Sequence, residues 1–234
     1  MNVNISPEAI ILLPVFLFSL ICHEIAHAYC ADLGGDDTAR LHGRISLNPL
    51  VHIDPMGTVL IPILQMLSGI PLIGWAKPVP VNPLRLRSAN WDILVSIAGV
   101  GVNLALAVVA AVIYRILLLT PWVPLSPAAN DSITVPYLLS VMLRGFVFIN
   151  LLLMLFNVLP IPPLDGSHIL FHFIRTRESV AFRVFALLER FGFIILILLV
   201  YTGALWRLFL GPALAFLLNA FGFLLQFPPG WLAI

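Results

Sequence analysis

Residues 9–30 read AIILLPVFLFSLICHEIAHAYC. That run is long enough to cross a bilayer, since about 20 predominantly apolar residues span the hydrocarbon as a helix. Set inside it is His23-Glu24-Ile25-Ala26-His27. A carboxylate flanked by imidazoles is costly at that depth and by default marks a function. The stretch therefore announces both the solvent of this chain and the place of its chemistry.

The rest of the sequence agrees about the solvent. Of 234 residues, 61% are hydrophobic and only 10% are Asp, Glu, Lys or Arg, whereas soluble domains carry about 25% charged residues. A mean hydropathy of +1.06 cannot be hidden in one water-surrounded core, because a domain of this mass still exposes roughly a third of its unfolded surface. Further apolar runs cover about 91–119, 135–160, 183–202 and 204–227, with a proline-broken one at about 55–74. The expected fold is an all-α polytopic membrane protein of about five transmembrane helices plus a broken or re-entrant segment. It forms a single domain over 1–234, with a core at 9–175 and a C-terminal helical hairpin at 183–227. No basic residue precedes the first run, which argues against a cleaved signal peptide. The net charge of +1 and the lack of a basic patch give no support to nucleic-acid binding, and Cys22 and Cys30 are too few for a disulfide framework.

Basic residues suggest the topology. Arg40, Arg44, Lys77, Arg85, Arg87, Arg175, Arg177, Arg183 and Arg190 fall on one side if 55–74 does not cross, and the uncharged connection 120–134 falls on the other. The positive-inside rule favours that arrangement. It places the 31–90 and 161–182 connections in the cytoplasm. Prolines 55, 62 and 71 in the broken run interrupt a regular helix, and irregular backbone at membrane depth must line protein or a water cavity.

His23 and His27 stand one turn apart on one helix face, about 400° of rotation. Both can reach one zinc ion, and Glu24 can take a proton from water in the metal's open position. Catalytic zinc normally takes three protein ligands. The third candidate is Asp165 in FNVLPIPPLDGSH, 156–168, held by Pro160, Pro162 and Pro163 with Gly166 expected to turn the chain behind it. Under the favoured topology Asp165 follows a span running in the same direction as the first, and Asn103 lies about twelve residues into a span starting from that side, so at 1.5 Å per residue these groups converge in one layer.

HEIAH at 23–27, NVLPIPPLDG at 157–166, SIAGVGVN at 96–103 and GWAKPVPVNP at 74–83 together resemble the site-2 protease family of intramembrane metalloproteases, in its compact prokaryotic form without a PDZ domain. The resemblance covers about residues 18–175 and implies a site-2 protease-like core. It implies zinc, one ion per chain, on His23, His27 and Asp165, with Glu24 as general base and then acid. Asn157 is implied to position the substrate strand or stabilise the oxyanion, and Asn103 to contribute to the same polar layer. Asn103 also has a plain packing account, because Gly99, Asn103 and Ala107 form an i, i+4, i+8 ridge suited to close helix contact. Val100 stands where the family commonly has Pro after Gly, which bears on the local turn.

The expected activity is endopeptidase cleavage within or near transmembrane segments of membrane proteins, in a multi-pass protein of the cell membrane with its active site toward the cytoplasm. Strand addition to the 160–163 and 75–83 segments would hold an unwound substrate. The rivals are a transporter or ion relay using the buried His and Asp, for which broken segments are also known, and an inactive scaffold. His168 and His172 read as interfacial, as do His42, His52 and Asp54, the last two with a minor prospect of gating or orienting substrate. Arg144 and Arg115 read as side chains snorkelling to the outer interface.

Overall fold

The computed structural model describes residues 7–61, 64, 76–120, 134–174, 180–228 and 231. Among them the regular structure is all helical: α1 Pro7–Leu33, α2 Thr38–Leu41, α3 Ala89–Leu118, α4 Val135–Val158, α5 Asp165–Phe173, α6 Val180–Tyr201 and α7 Gly211–Leu225. The five candidate spans, Ile11–Leu33, Ala89–Leu118, Val135–Val158, Phe182–Tyr201 and Trp206–Leu225, coincide with the five unbroken apolar runs. Chemistry at the helix ends explains their limits. Gly35 takes φ +103° just beyond α1, a conformation a Cβ would strain, while Thr134 caps α4 with Pro136 in its first turn. Pro160, Pro162 and Pro163 forbid further helix after Val158.

Helices α1, α3 and α4 pack on one another, with α5 against α3 and α4. Small residues on α3 (Ala107, Ala110, Ala111) meet Leu143, Val147 and Leu151 of α4 in the main apolar cluster, which Leu196 of α6 and Leu214 of α7 join. Such close approach is how helices associate where lipid removes the usual hydrophobic drive.

The long connection between α1 and α3 returns to where it began. Arg87 N–H donates to the Gly34 carbonyl at 2.9 Å, and Lys77 N–H to the His52 carbonyl at 2.9 Å. The broken segment between residues 52 and 77 therefore has its two ends side by side. It starts as a wide helical turn, Pro55–Leu60; residues 62–63 and 65–75 lie outside the described residues, as do 121–133 with Arg175 and Arg177.

Three local expectations need correction. Arg144 does not reach for an interface: it is buried, donating to the carbonyls of Ser140 and Trp231 at 3.4 Å each. Gly166 does not turn the chain behind Asp165, since it lies in the first turn of α5, packed where a Cβ would collide with the Val158 and Leu159 carbonyls. Val100 brings no break, because α3 runs through it as regular helix.

Candidate metal centre

One face of α3 frames the two histidines of α1. Val95, Gly99 and Asn103 follow at i, i+4 and i+8, and each meets an imidazole. The Val95 carbonyl lies 2.7 Å from His27 Nδ1; a carbonyl only accepts, so Nδ1 carries a proton, and in the neutral ring the Nε2 lone pair then faces inward. Gly99 leaves the room: a methyl carbon there would stand 2.5 Å from His27 Cε1 and Nε2 and 2.6 Å from His23 Cε1. The Asn103 amide lies 3.2 Å from His23 Nδ1 and is fully buried. The small-residue ridge therefore packs against the site itself.

Asp165 opens α5 and completes the group. His23 Nε2 lies 3.0 Å from His27 Nε2 and 3.2 Å from Asp165 Oδ2, and His27 Nε2 lies 3.3 Å from Asp165 Oδ1. Ligand atoms about 2.0–2.1 Å from a tetrahedral zinc stand ~3.3 Å from one another, so the spacing fits. Asp165 Oδ2 is buried with His23 Nε2 as its near neighbour; where that nitrogen presents a lone pair and not a proton, the carboxylate oxygen is in a costly state unless a cation meets it. Two imidazole nitrogens and a carboxylate facing one point, with neutral His27 presenting a lone pair, form a donor set for a divalent metal.

Glu24 is half-buried beside this group, and its Oε2 accepts the Val79 N–H at 2.9 Å. Asn157, the other expected catalytic residue, donates from Nδ2 to the Leu153 carbonyl of its own helix at 3.0 Å, and no hydrogen bond joins it to the His-Asp cluster among the described residues. His52 is buried, its Nε2 bonded to the Ser46 carbonyl at 2.8 Å, and Asp54 caps the helical turn that follows it. Sequence reasoning did not anticipate the Val95 carbonyl or the Val79 N–H. Backbone groups carry no residue-type signal, although the four-residue step back from Gly99 to Val95 was available.

A bundle of apolar helices enclosing a His2Asp metal-binding cluster, with a glutamate next to the first histidine, defines a membrane-embedded metallohydrolase centre. Comparison with known proteins gives the family. The model for peptidase family M50 matches residues 128–199. The chain is 36% identical over 200 residues to "Putative zinc metalloprotease YwhC" of Bacillus subtilis (strain 168), covering 82% of each protein. It is also 31% identical over 201 residues to "Putative zinc metalloprotease Rip2" of Mycolicibacterium smegmatis, covering 86% of this chain and 70% of that one. The Mycobacterium tuberculosis H37Rv protein of the same name is 32% identical over 197 residues, 84% of this chain and 68% of that one. No solved structure matches at the same stringency. The chain belongs to the M50 family and is a zinc-dependent intramembrane protease of the site-2 type.

Proposed function

We propose that His23, His27 and Asp165 hold one zinc ion per chain and that Glu24 is the general base, then acid, of peptide-bond hydrolysis in membrane-protein substrates. The convergence of Asp165 on two histidines far away in sequence, with spacings of 3.0 to 3.3 Å, carries this reading. Zinc bound there would act as a Lewis acid toward the scissile carbonyl and lower the pKa of water. Glu24 is too far around the helix from its neighbours, about 100° per residue, to be an equivalent ligand. It takes the proton of the attacking water and returns it to the leaving amine. Asn103 acts as a positioning residue: its amide Nδ2 lies 3.2 Å from His23 Nδ1 and its buried Oδ1 has no partner among the described residues, so with the amide turned over Oδ1 accepts from Nδ1–H and keeps Nε2 free for metal, the usual task of a group behind a ligating histidine. Asn157 contributes an amide to the oxyanion or the substrate strand once substrate displaces its bond to Leu153.

The substrate helix unwinds locally so that extended backbone reaches Glu24. The site faces the cytoplasmic side, a reading supported by Arg40, Arg44, Lys77, Arg85 and Arg87 in the connection that opens beside it. The whole chain acts as one domain, the 183–227 hairpin being an appendage to the catalytic core.

The test is Glu24→Gln, which keeps size and removes the basic carboxylate. Zinc content should persist while cleavage of a co-reconstituted single-span substrate falls on the order of 10²–10⁴-fold, the usual worth of general-base assistance. Cleavage near the wild-type rate would remove Glu24 from the role.

A further inference from the structure

Among the described residues, Arg44 is a buried cation without a carboxylate partner. It is 5% exposed, and the ion pairs of its neighbourhood use Arg40 and Arg85 instead. Burying a guanidinium is expensive unless its donors are met. The Nη donors are met by main-chain carbonyls, while Nε is buried without a partner among the described residues: Nη1 donates to Val51 at 2.6 Å, and Nη2 to Lys77 and to Pro78, the latter at 3.1 Å. A planar fork can bridge carbonyls on two chain segments at once, which a lysine ammonium cannot reproduce.

The strap thus gripped, residues 76–82, passes over the catalytic glutamate. At its start Lys77 N–H bonds to the His52 carbonyl at 2.9 Å. Its far end is held by Asp36, fully buried, whose Oδ2 accepts the Asn82 N–H at 2.6 Å. Between these anchors Pro78 and Pro80 hold φ near −65° and have no N–H to give. Val79 carries the donor between them, and it points at Glu24 Oε2. With one oxygen engaged by a fixed amide, the carboxylate has its other oxygen left to meet water.

We propose that Arg44 is a positioning residue for catalysis, clamping the 76–82 strap so that the Val79 N–H fixes the direction in which the Glu24 carboxylate faces. The proposal rests on Glu24 being the base. Arg44 touches neither substrate nor metal ligand; it works through the strap.

The experiment compares wild type, Arg44→Met, Arg44→Lys and Glu24→Gln as full-length proteins in detergent and in proteoliposomes. Three readouts are taken: zinc content, hydrogen exchange of the 76–82 peptide, and kcat and KM for a single-span membrane substrate. Arg44→Met should keep its zinc, since no ligand is altered. Its Val79 amide should exchange at least about tenfold faster, because exchange reports local opening. Its kcat should fall roughly 10- to 100-fold, the scale of a misplaced catalytic group, with KM moving less than about threefold, as expected for an interaction acting on the chemical step. Arg44→Lys should resemble Arg44→Met if the fork matters and not the charge. Should Arg44→Met fail to fold, Arg44→Lys carries the same three readouts. A Val79 amide that stays protected in the variants, or one that is freed with kcat unchanged, overturns the clamp. Near wild-type cleavage by Glu24→Gln would instead overturn the underlying assignment of the base.

Discussion

The helices α3 and α4, the helix α6 and the C-terminal span Trp206–Leu225 that contains α7 are about equally apolar, with mean hydropathies of 2.4, 2.2, 2.3 and 2.1 over their most apolar stretches, yet burial separates them. Half of that stretch in α4 is enclosed by protein, against 17% in α6 and 11% in the segment ending at Leu225. Polar side chains follow the same division. Ser19, His23, His27, Ser96, Asn103, Ser140, Arg144 and Asn150 are buried within α1, α3 and α4, while among the described residues α6 and α7 bury none. Instead they present Phe191, Phe193, Ile194, Leu198, Phe216 and Phe223 outward, as lipid-facing helices should. Hydropathy identifies what crosses the membrane, and buried polarity identifies what works there. The internal network is specific: Asn150 Nδ2 donates to Ser19 Oγ at 2.8 Å, tying α4 to α1 one turn before His23.

If this division is right, damage should depend on which group of helices is altered. The largest effect is expected from Gly99→Val, which drives a branched side chain into both imidazoles: metal binding should be lost outright, as measured by zinc content, while Gly222→Val in α7, where the added carbon meets only Trp231, leaves it intact. Next comes Asn103→Leu. It removes the partner of His23 Nδ1 and should weaken zinc roughly 10- to 100-fold in a chelator competition, whereas Asn103→Asp, which keeps an acceptor, should stay closer to wild type. Equal loss in both would mean that Asn103 serves only helix packing.

A smaller effect belongs to the clamp at the membrane edge. In Asp36, burial pushes the carboxyl pKa up, but the Thr38 hydroxyl, the Asn82 and Thr38 N–H groups and Arg85 outweigh it and hold the value below the ordinary carboxylate range. A lowered folded-state pKa means stability present above the unfolded value, about 3.9, and lost as pH falls through the folded one. Asp36→Asn should therefore cost on the order of 1 kcal/mol at neutral pH, and the difference from wild type should shrink in unfolding curves taken below about pH 4. A gap that stays constant down to acid pH would remove the ionised carboxylate from the clamp. Least of all should come from Phe216→Leu on the exposed face of α7, within about 0.5 kcal/mol; a large loss there would mean that a partner, and not lipid, covers that helix.

Much of this was legible in the sequence. Five spans follow from length and apolarity. The His23/His27 pair follows from helical spacing, and Asp165 was reachable because parity of the spans brings the end of one beside the end of another. What escaped has a common physical cause. Arg44 read only as a charge marking the cytoplasmic connection, and Arg144 as interfacial because long cationic side chains usually snorkel; nothing in their neighbours' identities reveals that backbone carbonyls from remote segments receive them. The Val95 carbonyl and Val79 N–H are main-chain groups available at any residue, so only the fold selects them. Asn103 showed the reverse problem: one ridge position supports both close packing and a contact to His23, and the structure makes both at once.

The account stands most directly on Asp165, the one proposed ligand supplied from outside the first helix. Zinc should be measured in purified wild type and Asp165→Ala, with Phe216→Leu prepared alongside as a control. About one zinc per chain is expected in wild type and control, as for a mononuclear catalytic site, and a loss of most of it is expected in Asp165→Ala. Full occupancy in Asp165→Ala would contradict the three-residue site and the convergence of helices on which the proposed mechanism depends.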